Sequence, residues 1–214
     1  MADHWEMEDV KTIYFWGGIF SNWAKFSFKA PLRQGSTPIE FNCAEQYMMA
    51  TKAELFGDDD ALAFIMEANN PSTQKAAGRR IVGYSDEVWN PVARDMSYVG
   101  IYEKFRQNDK IRDLIVSTGN KLLVEASPMD RRWGIGFDHL DAVGQEDEWG
   151  WNWLGQILMK VRDDIRSGTH SSFETIDWKK YETKSWRLFQ KWNIDVTEGL
   201  AKDVDKRNIV PVIL

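Results

Sequence analysis

The sequence has little of what a disulfide framework or a histidine-cysteine metal site requires. Cys43 is the only cysteine among 214 residues, and the three histidines (His4, His139 and His170) are never three or four positions apart. A single thiol cannot form an internal disulfide, and structural zinc sites take most of their ligands from cysteine and histidine. The sequence therefore predicts no internal disulfide and gives no positive support to a metal site.

Long apolar runs and an excess of positive charge are also missing. No stretch approaches the roughly 18 consecutive apolar residues of a membrane span. Residues 1–9 lack the basic, apolar and small-residue order of a signal peptide, so we expect a cytoplasmic location. The net charge of -6 disfavours binding to nucleic acid or anionic membranes through the whole surface, although it leaves room for a local basic pocket.

The composition that remains is that of a folded domain. Hydrophobic residues make up 43% of the chain and charged residues 28%, which is enough apolar material for a core. The chain also contains 11 tryptophans. Tryptophan serves core packing, stacking on planar ligands and interfaces, so the count alone does not choose among these uses.

The residue pattern predicts short strands at the start and helices afterwards. Residues 13–16 and 26–29 are candidate strands beside turn residues. Capping residues and breakers then delimit helices over 43–56, 58–69, 71–78, 91–107 and 109–117, with a last amphipathic helix that begins near Trp153 and ends before Gly168. For the first of these, Asn42 is the predicted N-cap and Glu45 the matching residue of a capping box.

Three segments are less regular. Periodicity does not decide between helix and strand for residues 121–126. Residues 128–148 read as a long loop, a kind of segment that is disproportionately functional. The last part, from Thr169 onward, has spaced aromatic residues and an apolar end, which predicts an appended segment docked on the main domain or on another chain.

Two sets of charged residues in the helical part could take part in catalysis or ligand binding. Glu45 and Lys52 are seven residues apart and share one face of the first helix, where a carboxylate and an ammonium could form a proton-transfer or anion site. The simpler interpretation, which the sequence alone favours, is a capping carboxylate and a solvated lysine. Residues 75–80 (KAAGRR) could clamp a phosphate, or could merely complement the dipole at a helix C-terminus.

The loop over residues 127–136 (SPMDRRWGIG) is a poor core segment but a reasonable wall for a planar, charged ligand. Its Gly-x-Gly is not a dinucleotide fingerprint, because no strand and helix bracket it as that motif requires. No Gly-x-Ser-x-Gly is present, and Cys43 has no histidine nearby in sequence, so nucleophilic serine or cysteine catalysis is unsupported.

Several separate motifs occur in an order that is typical of one protein family. They are residues 42–53 (NCAEQYMMATKA), 71–79 (PSTQKAAGR), Trp89, Lys104-Phe105, 123–127 (LVEAS), Asp130, 133–136 (WGIG) and 152–155 (NWLG). Together they resemble the NADAR family, also called YbiA-like, over residues 14–166. An ordered set of motifs is far more specific than any single one.

The resemblance implies a mainly α fold. We expect a single multihelical YbiA-like domain over residues 10–167 with a few short N-terminal strands. An aromatic-rich C-terminal extension over residues 168–214 would follow, outside the resemblance.

The resemblance also implies an N-glycosidase. Members cleave the bond between a ribose anomeric carbon and nitrogen, either in phosphoribosylaminopyrimidine intermediates of riboflavin biosynthesis or in ADP-ribose attached to guanine in DNA. Glu45 would stabilise the oxocarbenium-like sugar and orient water, and Asp130 would be the general base or a ribose ligand. The substrate-binding candidates are Lys52, Lys75 and Arg79 for the phosphate and Trp89, Trp133 and Gly134 for the leaving base. Such a hydrolysis needs no metal or redox cofactor.

Three functions stay open at this point. The first is an N-glycosidase for phosphoribosylaminopyrimidines. The second is removal of ADP-ribose from guanine in DNA, against which the acidic net charge argues mildly, with nucleic acid entering only as a modified substrate. The third is a non-catalytic module that binds ADP-ribose or an NAD-like ligand. Sequence gives no oligomeric state.

Overall fold

Helices form most of the regular structure in the computed structural model, which describes residues 5–8 (backbone only), 11–170 and 175–182. The helices are α1 Ala44–Phe56, α2 Asp59–Glu67, α3 Pro71–Gly78, α4 Asp86–Trp89, α5 Ala93–Gln107, α6 Asp109–Ser117, α7 His139–Ala142 and α8 Trp153–Ser167. The strands are β1 Trp5–Glu8, β2 Thr12–Trp16, β3 Phe28–Ala30, β4 Ile39–Phe41 and β5 Leu122–Glu125. Two 3-10 helices cover Glu146–Glu148 and Trp178–Tyr181. The mainly α fold predicted from sequence is confirmed.

The described residues fall into two compact units. One combines the described residues up to Gly18 with Asn120–Met159 and the described residues from Asp177. The other combines Ile19–Gly119 with Lys160–Ile176. We refer to these as the sheet unit and the helical unit.

Helix α1 is the central element of the helical unit, where it packs against α2, α3 and α5. Its residues from Ala44 to Ala53 are all buried. Two glycines allow neighbouring helices to approach it closely: a Cβ on Gly78 of α3 would lie 2.0 Å from Met49 Sδ, and one on Gly100 of α5 would lie 2.2 Å from the Tyr47 ring. Because α3 and α5 approach α1 so closely, even Glu45 and Lys52 of α1 are buried.

The ends of α1 show one correction and one confirmation. Cys43, not Asn42, is the N-cap, and its side chain makes no capping hydrogen bond. The backbone N–H of Asn42 donates to Gln46 Oε1 at 2.8 Å, so Gln46 takes the contact that the capping box assigned to Glu45. Gly57 ends the helix in the left-handed region at φ 68°, as the sequence predicted.

The predicted starts of α2, α3 and α6 are confirmed within one residue, whereas α5 begins at Ala93 instead of residue 91 and α4 lies outside the predicted helices. The side chains of Asp58, Asn70 and Ser85 cap α2, α3 and α4, and Pro71 occupies the first turn of α3. Short strands β3 and β4 pair antiparallel with Phe28 opposite Phe41, and these two rings pack near Tyr47 of α1. Residues that are recognisable in the sequence therefore define where these helices begin.

The sheet unit contains a three-stranded sheet in the order β1-β2-β5. Strand β1 runs antiparallel to β2, and β5 runs parallel to it with Ile13 opposite Leu123. The ambiguous segment 121–126 is thus a strand, because its apolar residues are buried in a parallel pair rather than on a helical face. Tyr14, Val124, Ile135 and Trp149 belong to the core cluster of this unit.

The long loop and the tail are only partly irregular. Within residues 128–148 the structure places α7 and the first 3-10 helix. In the predicted extension, Ile176, Trp178 and Tyr181 are buried, while residues 171–174 and 183–214 lie outside the described part. No helix in the described part is long and apolar enough to cross a membrane.

Candidate active site

Glu45 lies in the first turn of α1 and is 2% exposed. Its backbone N–H donates to the carbonyl oxygen of Asn22 at 2.9 Å. A helix N-terminus favours negative charge, so this is a suitable position for a buried carboxylate. The helical unit thus holds the predicted catalytic carboxylate at a helix N-terminus, where the backbone favours negative charge.

The turn that receives this hydrogen bond is fixed by a buried lysine. Lys104 of α5 is 1% exposed, and its Nζ donates to the carbonyl oxygens of Ile19 and Ser21, each at 2.9 Å. Burial lowers the pKa of Lys104 to about 7. The turn is tightened further by a hydrogen bond from Trp23 N–H to Ser21 Oγ at 3.1 Å. The segment beside Glu45 is therefore held from both α1 and α5.

Lys52 is buried, which corrects the interpretation of a solvated lysine. It is 4% exposed, its Nζ donates to the Gly78 carbonyl oxygen at 2.8 Å, and the ammonium lies 3.8 Å from the centroid of the Tyr84 ring. A carbonyl oxygen at a helix C-terminus attracts a cation, and this interaction stabilises the buried position of Lys52 at the end of α3.

The predicted phosphate ligands belong to this same helix end. Lys75 lies in the last turn of α3 and Arg79 is its C-cap, while Lys52 contacts Gly78 between them. Lys75 is half-buried and Arg79 is exposed. The structure therefore brings all three positions to one end of α3, with Arg79 the most accessible to a ligand.

Asp130 organises its own loop in the sheet unit. Its Oδ1 accepts the backbone N–H groups of Arg132 at 2.9 Å and Trp133 at 2.8 Å. This is the turn that an aspartate side chain forms with the backbone two and three residues ahead. One carboxylate oxygen is committed to the turn, and the residue is half-buried.

The Asp130 loop is attached to the start of α8. The N–H groups of residues 151–154 donate to the carbonyl oxygens of Arg131, Gly134, Arg132 and Trp133 at 2.7–3.1 Å. The loop thereby satisfies N–H groups that a helix start leaves without intrahelical partners. A predicted functional loop is thus held in place by a helix end.

Asn152 and Gly134 allow the loop and the start of α8 to pack closely against β5. Asn152 has φ 53°, is fully buried, and its amide bridges Glu125 N–H and the Leu123 carbonyl oxygen, each at 2.9 Å. A Cβ on Gly134 would lie 2.7 Å from the Glu125 carbonyl oxygen. Gly134 is therefore required for close packing of the loop against β5.

The two predicted stacking tryptophans differ in exposure. Trp133 is half-buried, and its ring packs edge-on against Trp153 with the centroids 5.6 Å apart. Trp89, at the end of α4, is only 3% exposed and leaves little ring surface for a base. Between the two, Trp133 is the better candidate for a stacking wall.

The predicted site residues divide between the two units. Glu45, Lys52, Lys75, Arg79 and Trp89 belong to the helical unit, which brings the last turn of α3 to the Lys52 end of α1. Asp130, Trp133 and Gly134 belong to the sheet unit and form one loop.

Metal and thiol chemistry receive no support from the described residues. They contain no group of three or more His, Cys, Asp and Glu side chains positioned to hold a metal ion. Burial raises the pKa of the Cys43 thiol to about 11, and its Sγ contacts Gln74 Oε1 at 3.2 Å. A thiol that stays protonated is a poor nucleophile.

The sequence does not reveal the roles of Asn22, which accepts the Glu45 N–H, and of Lys104, which holds the same turn. The sequence pattern gives residues 21–23 no functional role, and Lys104 enters only as part of a family motif. The sequence contains no signal that pairs them, because their contacts join segments more than 80 residues apart.

Comparisons with known proteins point in one direction. A family model described as the NADAR domain matches residues 14–166. The N-glycosidase R617 of Acanthamoeba polyphaga mimivirus is 40% identical over 168 residues, which cover 74% of this chain and 98% of that protein. The chloroplastic riboflavin biosynthesis protein PYRR of Zea mays is 30% identical over 164 residues, 73% of this chain and 25% of that protein.

The fold also matches a solved structure. The NMR structure of the E. coli protein YbiA superposes with a TM-score of 0.57 at 22% identity, over 76% of this chain and 89% of that one.

Proposed function

The chain belongs to the NADAR family of N-glycosidases, and we propose that it hydrolyses the C–N bond between ribose and nitrogen in phosphoribosylaminopyrimidine intermediates of riboflavin biosynthesis. The similarity to a plant protein that is named for riboflavin biosynthesis supports this substrate class. The products would be ribose 5-phosphate and the free aminopyrimidine.

The observation that carries the proposal is the buried carboxylate of Glu45 at the start of α1. Breaking a C–N glycosidic bond develops positive charge on the anomeric carbon and ring oxygen. A preorganised carboxylate away from bulk water stabilises such charge far better than an exposed one. We assign this role to Glu45.

The bond changes of the reaction balance without a further reactant. The C–N bond breaks with its electron pair going to nitrogen, the oxygen of water bonds to the anomeric carbon, and the proton released by that water is taken up by the amine. No electrons are transferred, so no redox cofactor is required. Glu45 would orient the water as well as stabilise the sugar, and Asp130 would act as general base or ribose ligand through the carboxylate oxygen that the turn leaves available.

The cations at the end of α3 are the proposed phosphate ligands. Arg79 is exposed there, Lys75 lies one turn earlier, and Lys52 adds positive charge from the buried side. Arginine binds two phosphate oxygens at once, which makes Arg79 the principal candidate. Trp133 is the proposed stacking surface for the pyrimidine, with Gly134 holding its loop in place.

The experiment that tests the proposed substrate measures release of ribose 5-phosphate by the wild-type protein from freshly prepared phosphoribosylaminopyrimidine. DNA carrying ADP-ribosylated guanine and NAD are assayed in parallel. Release from the pyrimidine substrate supports the proposal. Release of ADP-ribose from DNA alone would replace it with the DNA-repair alternative, and tight binding of ADP-ribose without turnover would replace it with a binding module. We further propose that the enzyme acts in the cytoplasm.

A further inference from the structure

We propose that Asn22 is a substrate-binding residue whose side-chain amide hydrogen-bonds the ribose hydroxyl next to the anomeric carbon. This inference rests on the proposed function, because it places a ribosyl group beside Glu45.

The first observation is that the side-chain oxygen of Asn22 is buried without a hydrogen-bond partner. Asn22 is 7% exposed, and its Oδ1 is inaccessible to solvent and accepts no hydrogen bond. Burying an amide without compensating hydrogen bonds costs free energy, so a native protein usually satisfies such a group or uses it. The contrast with Asn42 is direct, since its amide both donates to Ala68 and accepts from Gln74.

The second observation is that the backbone around this amide is fixed. The carbonyl oxygen of Asn22 accepts from Glu45 N–H at 2.9 Å, and the carbonyl oxygens of Ile19 and Ser21 accept from buried Lys104. The Asn22 amide therefore cannot relieve its desolvation by moving the turn. A polar group held rigidly without an internal partner is preorganised for a ligand.

The position beside Glu45 indicates which ligand group the amide meets. The backbones of Asn22 and Glu45 are directly hydrogen-bonded. We therefore place the sugar with its anomeric carbon at Glu45 and the next carbon near Asn22. The hydroxyl on that carbon can donate to the amide oxygen and accept from the amide nitrogen. A single ribose hydroxyl would thus satisfy the amide in either orientation.

A buried asparagine can also serve only to stabilise the fold. A matched variant at Asn108 distinguishes that structural role from ligand binding. Asn108 also lies in the helical unit, and its Nδ2 donates to the carbonyl oxygens of Ser27 at 3.1 Å and Lys104 at 2.8 Å. Asn108→Ala removes bonds within the protein and should lower the urea midpoint. Asn22→Leu keeps the volume of the side chain and removes an amide that the protein does not use, so its midpoint should equal or exceed that of the wild type.

The deciding experiment measures binding of ribose 5-phosphate and 2-deoxyribose 5-phosphate by calorimetry to the full chain. We expect the wild type to prefer ribose 5-phosphate by about tenfold, the worth of one hydrogen bond to a neutral group. Asn22→Leu and Asn22→Ala should lose this preference through weaker ribose 5-phosphate binding, whereas Asn108→Ala should retain it.

The outcomes distinguish failure of this inference from failure of the proposed function. A wild type that binds the two sugars equally, or an Asn22→Ala variant that keeps the preference, overturns the role of Asn22 whatever the enzyme assay shows. If the wild type shows the preference but releases no sugar from any substrate, the hydrolase proposal fails and the Asn22 assignment stands. A urea midpoint for Asn22→Leu as low as that of Asn108→Ala would make the amide structural and also overturn it.

Discussion

The backbone N–H of Glu45 is hydrogen-bonded to the carbonyl oxygen of Asn22, 23 positions earlier in the chain, at 2.9 Å. Through this bond the first turn of α1 is tied to a turn that Lys104 holds from α5. A carboxylate that must meet a developing positive charge gains from such support, because a fixed group needs no reorganisation during the reaction.

The role of Asp130 can be separated from its turn. Asp130→Asn keeps an oxygen that can accept the Arg132 and Trp133 N–H groups but removes the charge, so we expect kcat/KM to fall by about 100-fold if the carboxylate acts in general base catalysis. The urea midpoint should match that of the wild type. Asp130→Ala loses both functions, and we expect an additional loss of about 1 kcal/mol in the free energy of unfolding. Full activity of Asp130→Asn would show that the residue serves only the turn.

Two of the three cations at the α3 end, Lys52 and Arg79, should separate into a structural and a ligand-binding residue. Lys52→Met leaves the Gly78 carbonyl oxygen without its charged partner, so we expect a loss of about 2 kcal/mol in the free energy of unfolding, measured by urea denaturation. Arg79→Ala should leave the urea midpoint unchanged and raise KM for the phosphoribosyl substrate about tenfold with kcat nearly constant, because a remote phosphate contact is made equally in the ground and transition states. An unchanged KM would remove Arg79 from the phosphate site.

The free energy of unfolding should rise as the pH increases above neutrality, because Lys104 is buried in the folded protein. Burial lowers its pKa in the folded protein to about 7, while the unfolded chain keeps the proton to about pH 10.4. The unfolded state therefore binds more protons in this interval, and the free energy of unfolding rises with pH, by at most about 1.4 kcal/mol per pH unit. We expect urea denaturation of the wild type between pH 7 and pH 8.5 to show this rise, and Lys104→Met to lack it.

The pH window for this comparison is limited by Cys43. Burial raises the pKa of its thiol to about 11, so the folded state retains a proton that the unfolded state releases near the ordinary value of 9.0. Stability from this group is lost as the pH rises through that higher range, opposite to the effect of Lys104. Measurements above about pH 8.5 would mix the two effects, and equal slopes for wild type and Lys104→Met below it would contradict the Lys104 prediction.

Local chemistry explains why most of the helices could be predicted. The Asp58 cap, Pro71 at a helix start and Gly57 at a helix end act within a few residues, so the sequence reveals them directly. The N-terminus of α1 was placed one residue too early because Gln46 and not Glu45 reaches the Asn42 N–H. Both residues are one helical turn or less away, and spacing alone does not distinguish them.

Long-range contacts explain what could not be predicted. Lys52 is buried because the α3 terminus supplies a carbonyl oxygen 26 positions away, and segment 121–126 is a strand because β2 lies beside it. The unpartnered side-chain oxygen of Asn22 depends on the contacts of the folded chain and leaves no signal in the sequence. The NADAR motifs, by contrast, identify the family without any of these contacts, and the catalytic role of Glu45 stays a prediction.

The measurement that tests the central claim most directly is the turnover of Glu45→Gln on phosphoribosylaminopyrimidine, with Glu54→Gln as the matched control. Both residues lie in α1, but Glu54 forms an ion pair with exposed Arg33 at 3.2 Å, away from the proposed chemistry. We expect Glu45→Gln to lose a factor of about 100 to 1,000 in kcat while ribose 5-phosphate binding stays within about twofold, and Glu54→Gln to match the wild type. Retention of wild-type kcat by Glu45→Gln would contradict the account.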